Sequence, residues 1–469
     1  MKKFKIFINQ FNSPLIYILF VACFISFYLK EFIDGFIILF VIFINGIVGF
    51  IQEIRADDAL EALKKMSSPH CYIKENGKIK KILSNEIKVN DILVLQEGDI
   101  VAADAIIIDN HGLKIDESSL TGEAIRVEKD KNGLDNSNKV FESLIASAIE
   151  TKDILKKYYD LKSKVLKIDK CAPWGTQIEL YETDKEYTIE EACDLVSKAL
   201  EPLGEDYVNH FKHVIEDRCV DFCQYKGKCS GGYNISSPDM KNSKILMSFN
   251  YDLQSVSTLA HESGHHVHHQ YLCENNFEEY RHAPSIISEV ASLTNEFLLS
   301  NYLINNGSRE EALSGLSNIL GTFENNFYGG VQEGNLEQEF YKHVEDGGTL
   351  TKEYLYDLCE KSLLKFYPNE IQSNYEKCAW ITRSHYYMFY YLFSYSICIS
   401  VASYVSKEIL SGNKEMLDKY ISFLKTGSDH SVSDVYKVLG IDLENKNVYL
   451  DAIDNFSSLI DKFDEIYNK

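Results

Sequence analysis

The chain has 469 residues, 45% of them hydrophobic and 25% charged, with a formal net charge of −22. That length implies two or three domains, and the apolar share suffices for packed cores. The acidic balance argues against nucleic acid as a partner, because a phosphate backbone requires a basic face.

At the N-terminus, Phe11 to Leu29 and Phe32 to Ile51 are each apolar on every face and about long enough to span a bilayer. Only Lys30 and Glu31 separate them, which forces a tight hairpin. Lys2, Lys3 and Lys5 precede the pair and Arg55 follows it, so the positive-inside bias puts both ends in the cytosol. The expectation is a transmembrane helical hairpin over residues 1–53, anchoring a cytosolic remainder. Two buried helices of a cytoplasmic protein are the alternative.

Residues 54–130 read as an amphipathic helix, "IRADDALEALKKM", and then a small β-rich domain. Its text includes "HCYIKENGKIKKILS", with "NG" at a hairpin turn, "DILVLQEGDIVAADAIIID" and "LKIDES". Turn formers and charges crowd residues 129–138, where the character changes. From 131 to 469 the chain is mainly helical, with one β-like interlude. Eleven cysteines at irregular spacing read as reduced thiols. Cys219, Cys223 and Cys229 lack the second pair that a four-ligand metal knuckle needs.

The stretch "IDESSLTGEAIRVEK", residues 115–129, together with "NGIVGFIQE", "ALEALKKMSSP" and "EGDIVAAD", resembles the N-terminal hairpin and actuator domain of P-type cation-transporting ATPases. In that family the Thr-Gly-Glu loop orients a water against an aspartyl phosphate, a role that would fall to Thr121, Gly122 and Glu123. No D-K-T-G phosphorylation motif occurs in these residues, so the loop is expected to be non-functional here.

"AHESGHHVHHQ", residues 260–270, carries five of the thirteen histidines. His261 and His265 stand at i and i+4 on one helical face, where one Zn²⁺ takes both, and Glu262 lies within reach of a water as general base. His268 is on the same face, but a helix rises about 10 Å between positions 261 and 268, too far for one ion. His266 and His269 point elsewhere. The third ligand must come from another element. "SIISEVASLTNEFLLSNYL", residues 285–303, offers Glu289 and Glu296 on an apolar helix that returns after Pro284. Glu289 suits the His-His-Glu geometry of gluzincins, and Glu296 suits support of a ligand or a salt bridge.

The blocks "KGKCSGGYNIS", "ILMSFNYDLQSVSTLAHESGHHVH", "APSIISEVASLTNEFLL", "FYGGVQEGNLEQEFYKHVEDGGTLTKEYL" and "TRSHYYMFYYLFSYS" resemble, in order, the oligoendopeptidase F and thimet oligopeptidase family. The likeness runs from about residue 136 to the end. It implies a mainly α, zincin-like metallopeptidase half with a short β-sheet, zinc on His261, His265 and Glu289, and Glu262 as catalytic base. The family's His…Tyr pattern assigns His385, Tyr391 and Tyr395, in a helix-like run over 384–395, as donors to the oxyanion; Phe393 stands where a Tyr is common. "SKILMSFNYDL", residues 243–253, is expected to be the edge strand that receives an extended peptide. Family members carry a further helical lobe, and here the pump-like segment stands in its place. The expected function is zinc-dependent hydrolysis of short unfolded peptides. The alternative is an inactive membrane-bound fusion of a truncated pump and a truncated peptidase.

Overall fold

A computed structural model of the protein describes residues 14–44, 46–48, 50, 70–75, 78–95, 99, 101–103, 105, 107–108, 114–115, 127–128, 137–171, 178–228, 231–368, 374–388 and 390–469. The chain divides into two compact units, Met1–Ile108 and Asp109–Lys469.

In the first unit, helix α1 spans Pro14–Tyr28 and α2 spans 32–44. The transmembrane hairpin is not supported. Helix α1 has 15 residues, a rise of about 22 Å against a hydrocarbon core of about 30 Å. No described helix is long and apolar enough to cross a membrane. The turn at Leu29–Lys30 stands where the hairpin was expected, but the described helix before it has only these 15 residues. The amphipathic helix expected over 54–66 lies outside the described residues.

Strands β1 (His70–Glu75), β2 (Lys78–Leu83) and β3 (Ile92–Val94) form an antiparallel sheet of order β2-β1-β3. Glu75 faces Lys78, the register of a two-residue hairpin connection. In the second unit, two-residue strands β4 (Lys114–Ile115) and β5 (Val127–Glu128) pair antiparallel. Thr121, Gly122 and Glu123, which fall between them, lie outside the described residues, as does most of the junction expected at 129–138.

The rest of the second unit is helical: α3 (Ser137–Glu150), α4 (Lys152–Leu166), α5 (Ile189–Ala199) and α6 (Glu205–Glu216) lead to a small sheet. That sheet joins β6 (Val220–Asp221), β7 (Gly232–Ile235) and β8 (Lys244–Met247) in the order β6-β8-β7. The strand within 243–253 is therefore central. Ile245 and Met247 are buried in it, and β7 is the edge on the other side.

Then come α7 (Leu253–Asn275), α8 (Ser285–Asn306), α9 (Arg309–Phe323), α10 (Gly330–Glu345), α11 (Lys352–Phe366), α12 (Tyr391–Leu410), α13 (Lys414–Lys425), α14 (Val432–Val438) and α15 (Asn447–Tyr467). Helix α8 is the core of the unit. It packs against α7, α9 and α12, and residues 290–300 are buried on every face.

Candidate active site

Asp252 starts α7, its carboxylate accepting the Ser255 N–H at 2.8 Å. About three turns on, the helix meets α8 at Gly264. A Cβ there would lie 2.6 Å from Ser292 Cα and 2.7 Å from the Ala291 carbonyl oxygen, so the backbones touch where only hydrogen fits. This contact brings the carboxylate of α8 to the imidazoles of α7. Glu289 Oε2 is 3.4 Å from both His261 Nε2 and His265 Nε2. Their donor atoms all lie within 4.8 Å of one another, and among the described residues this is the one such group.

The surroundings aim each donor. Glu296 Oε1 is 2.7 Å from His261 Nδ1, which leaves Nε2 to face Glu289. Thr322 donates to Glu296 Oε2 at 3.3 Å, and Ser292 donates to Glu289 Oε2 at 2.9 Å. Neither Thr322 nor Ser292 was singled out from sequence. Ser292 has a signal, since i+3 from Glu289 is the next turn of the same face; Thr322 has none. Burial pushes the Glu289 carboxyl up, but the two imidazoles more than reverse this and hold it well below the usual range. Burial likewise pulls His261 down, and Glu289 and Glu296 outweigh it, so His261 is held well up. The field of this cluster favours positive charge. Two nitrogens and one carboxylate oxygen, converging in such a field, fit a Zn²⁺ ion.

Glu262 is 6% exposed, and burial pushes its carboxyl upward while His261 and His265 pull it back. Edge strand β7 lies directly on it: a Cβ on Gly232 would be 2.6 Å from Thr258 Cγ2 and 3.2 Å from Glu262 Cγ. Asn234, two residues along β7, donates to Ser243 Oγ at 3.0 Å and to the Glu262 carbonyl at 3.5 Å. The other three histidines of the cluster serve packing. His266 Nδ1 is 2.8 Å from Ser243 Oγ, and His269 Nε2 is 2.8 Å from the Met240 carbonyl. His268 lies buried against the Phe423 ring, and burial pulls it down to about 3.

The aromatic run over 384–395 is not one helix. Residues Ser384–Tyr387 form a 3₁₀ turn, Tyr390 has φ 52°, and α12 starts at Tyr391. The break folds His385 back onto the helix, with its Nε2 3.5 Å from Tyr395 OH and its ring 5.4 Å from that of Tyr391. Burial, and then the negative charge of Glu289, push the Tyr391 phenol up. Burial and the neighbouring Tyr391 do the same for Tyr395, while burial and Arg383 pull His385 down. At neutral pH both phenols keep their protons and are donors.

The fold and the site thus define a helical protein with, among its described residues, one His-His-Glu cluster that could hold a metal ion and a buried carboxyl beside it. The chain belongs to Peptidase family M3, whose family model matches residues 119–455. A second model, the P-type ATPase actuator domain, matches residues 65–156, so the sequence joins segments of two families. The chain is similar to Oligopeptidase PepF of Bacillus subtilis (strain 168), at 31% identity over 70% of this chain and 50% of that protein. Similarity to "Oligoendopeptidase F, plasmid" of Lactococcus lactis subsp. cremoris is 27% over 71% of this chain and 55% of that protein. The crystal structure of oligoendopeptidase-F from Enterococcus faecium shares the fold, with a TM-score of 0.53 at 24% identity over 70% of this chain and 53% of that one. The chain spans about half the length of the curated relatives it matches.

Proposed function

We propose that residues 131–469 are the catalytic half of a zinc-dependent oligoendopeptidase that hydrolyses short unfolded peptides. The observation that carries this reading is the convergence of His261, His265 and Glu289, with Glu296 fixing the His261 ring. Family membership and the relatives' names support the reaction class. The pump-like segment over residues 1–130 contributes no step. Ten cysteines in the thiol state among the described residues suit the reducing cytosol, where we place the reaction.

In this reading His261, His265 and Glu289 hold Zn²⁺, which when bound supplies Lewis acidity to the scissile carbonyl and to the attacking water. Glu262 takes the proton from that water and later returns it to the leaving amine; its burial raises its basicity for the task. Tyr391, Tyr395 and His385 stabilise the oxyanion, each phenol donating its proton without losing it. The extended peptide pairs with the free edge of β7, whose Gly232 brings the strand onto Glu262.

Zinc analysis and peptide cleavage by the full chain test the proposal. Near-stoichiometric zinc and chelator-sensitive cleavage are expected. Glu262→Gln keeps the shape of the side chain but cannot take a proton, so zinc should stay while hydrolysis falls about 10²–10⁴-fold. Turnover by the zinc-loaded variant near the parent's rate would remove Glu262 from the mechanism.

A further inference from the structure

Two carboxylates one turn apart on α10 reach the segment that carries His385. Glu333 accepts from Arg383 Nε at 2.8 Å, and Glu337 accepts from the backbone N–H of Tyr390 at 2.8 Å. Arg383 stands two residues before His385, and Tyr390 is the last residue before α12. The two contacts therefore hold both ends of 383–390.

The segment is one that needs holding. Tyr390 sits in the left-handed region, which residues with a Cβ avoid, so its conformation must be imposed by its surroundings. Glu337 is 1% exposed, and burying a carboxyl is costly unless it is partnered. An apolar residue there would avoid that cost but leave the Tyr390 N–H without this acceptor. Between the two carboxylates, Gly334 lets the Phe393 ring lie 2.8 Å from where a Cβ would stand, so the first turn of α12 packs directly on α10. Phe393 in turn stacks on Phe141 at 4.2 Å, and Tyr390 packs against Phe141 at 5.3 Å and Tyr341 at 5.6 Å. Movement in this segment would carry His385 away from Tyr391 and Tyr395.

We propose that Glu333 and Glu337 are positioning residues: by clamping 383–390 to α10 they set His385 against Tyr391 and Tyr395. Neither carboxylate touches the metal ligands. The inference rests on the reading above, in which these three side chains serve the oxyanion.

The test uses the full chain, with Glu337→Ala, Glu337→Gln and Glu333→Gln. Trypsin cleavage after Lys377 and Arg383 reports how firmly the segment is held, zinc content reports the metal site, and peptide kinetics report function. Glu337→Ala should speed cleavage after these two residues by about tenfold and lower kcat by about 10–100-fold, with KM less affected and zinc unchanged. Glu337→Gln keeps an oxygen for the Tyr390 N–H and should restore both to within about threefold of the parent. Unchanged trypsin sensitivity in Glu337→Ala, or equal damage from Gln and Ala, overturns the clamp. If Glu337→Ala loses its cooperative melt, Glu333→Gln decides: faster cleavage after Arg383 is expected, and parent-like cleavage overturns the proposal. A parent chain that cleaves no peptide refutes the function, while the trypsin result still decides the clamp.

Discussion

A methyl group added at Gly264 should damage metal binding more than it damages stability. The Cβ of Gly264→Ala would stand 2.6 Å from Ser292 Cα where ordinary contact begins at 3.4 Å, so α7 and α8 must part by about 0.8 Å, the difference between the two. Two effects on stability oppose each other. Alanine improves the helix by about 1 kcal/mol, and overpacking costs about 1–3 kcal/mol, which leaves a net loss of about 0–2 kcal/mol. The metal site has no such compensation. Ser292 bonds the Glu289 carboxylate, so a shift of the α8 backbone is passed to the third ligand. Ligand distances tolerate only about 0.2 Å, and zinc affinity should fall at least 10–100-fold. Competition titration against a chromophoric chelator reads the affinity, and urea unfolding reads the stability. Unchanged zinc affinity in a folded Gly264→Ala chain would refute the argument that this helix contact places Glu289.

Glu289→Gln should cost far more zinc affinity than His268→Ala, since His268 is packed against Phe423; equal losses in the same titration would sink the ligand assignment. Glu324 gives a pH-dependent test away from the site. It is 3% exposed, its Oε1 accepts from Tyr159 OH at 2.9 Å, and burial pushes its carboxyl from 4.5 up to about 7. The folded state therefore binds the proton more tightly than the unfolded chain, and stability falls as pH rises from 4.5 to about 7. Glu324→Gln keeps an acceptor without the charge, so its stability relative to the parent should grow by up to about 3 kcal/mol between pH 4 and pH 8. Parallel unfolding curves for the two proteins at both pH values would show that the carboxyl ionises without cost.

Much of the centre could be read from spacing alone. Positions 261 and 265 share a face in any helix, and the apolar text over 285–303 marks a helix buried all round, on which a carboxylate needs a partner. What spacing cannot supply is which backbone lies against which. Gly264 looks like a helix weakness in the sequence; in the fold it is the point where α8 touches α7. The strand within 243–253 has the stronger β pattern, yet its apolar residues are what make it central and leave the glycine-led β7 at the edge.

The aromatic run shows the limit most sharply. "SHYYMFYYLFSY" carries no glycine or proline, and its pattern is that of a continuous helix. The break at Tyr390 is imposed from outside, by an acceptor on α10 that lies 53 residues earlier in the chain. A straight helix would set His385 and Tyr395 ten residues apart, about 15 Å along the axis. The observed 3.5 Å between their polar atoms exists only because the chain turns there. The pairing of these two side chains is therefore a tertiary property, written in Glu337 as much as in the residues that form it.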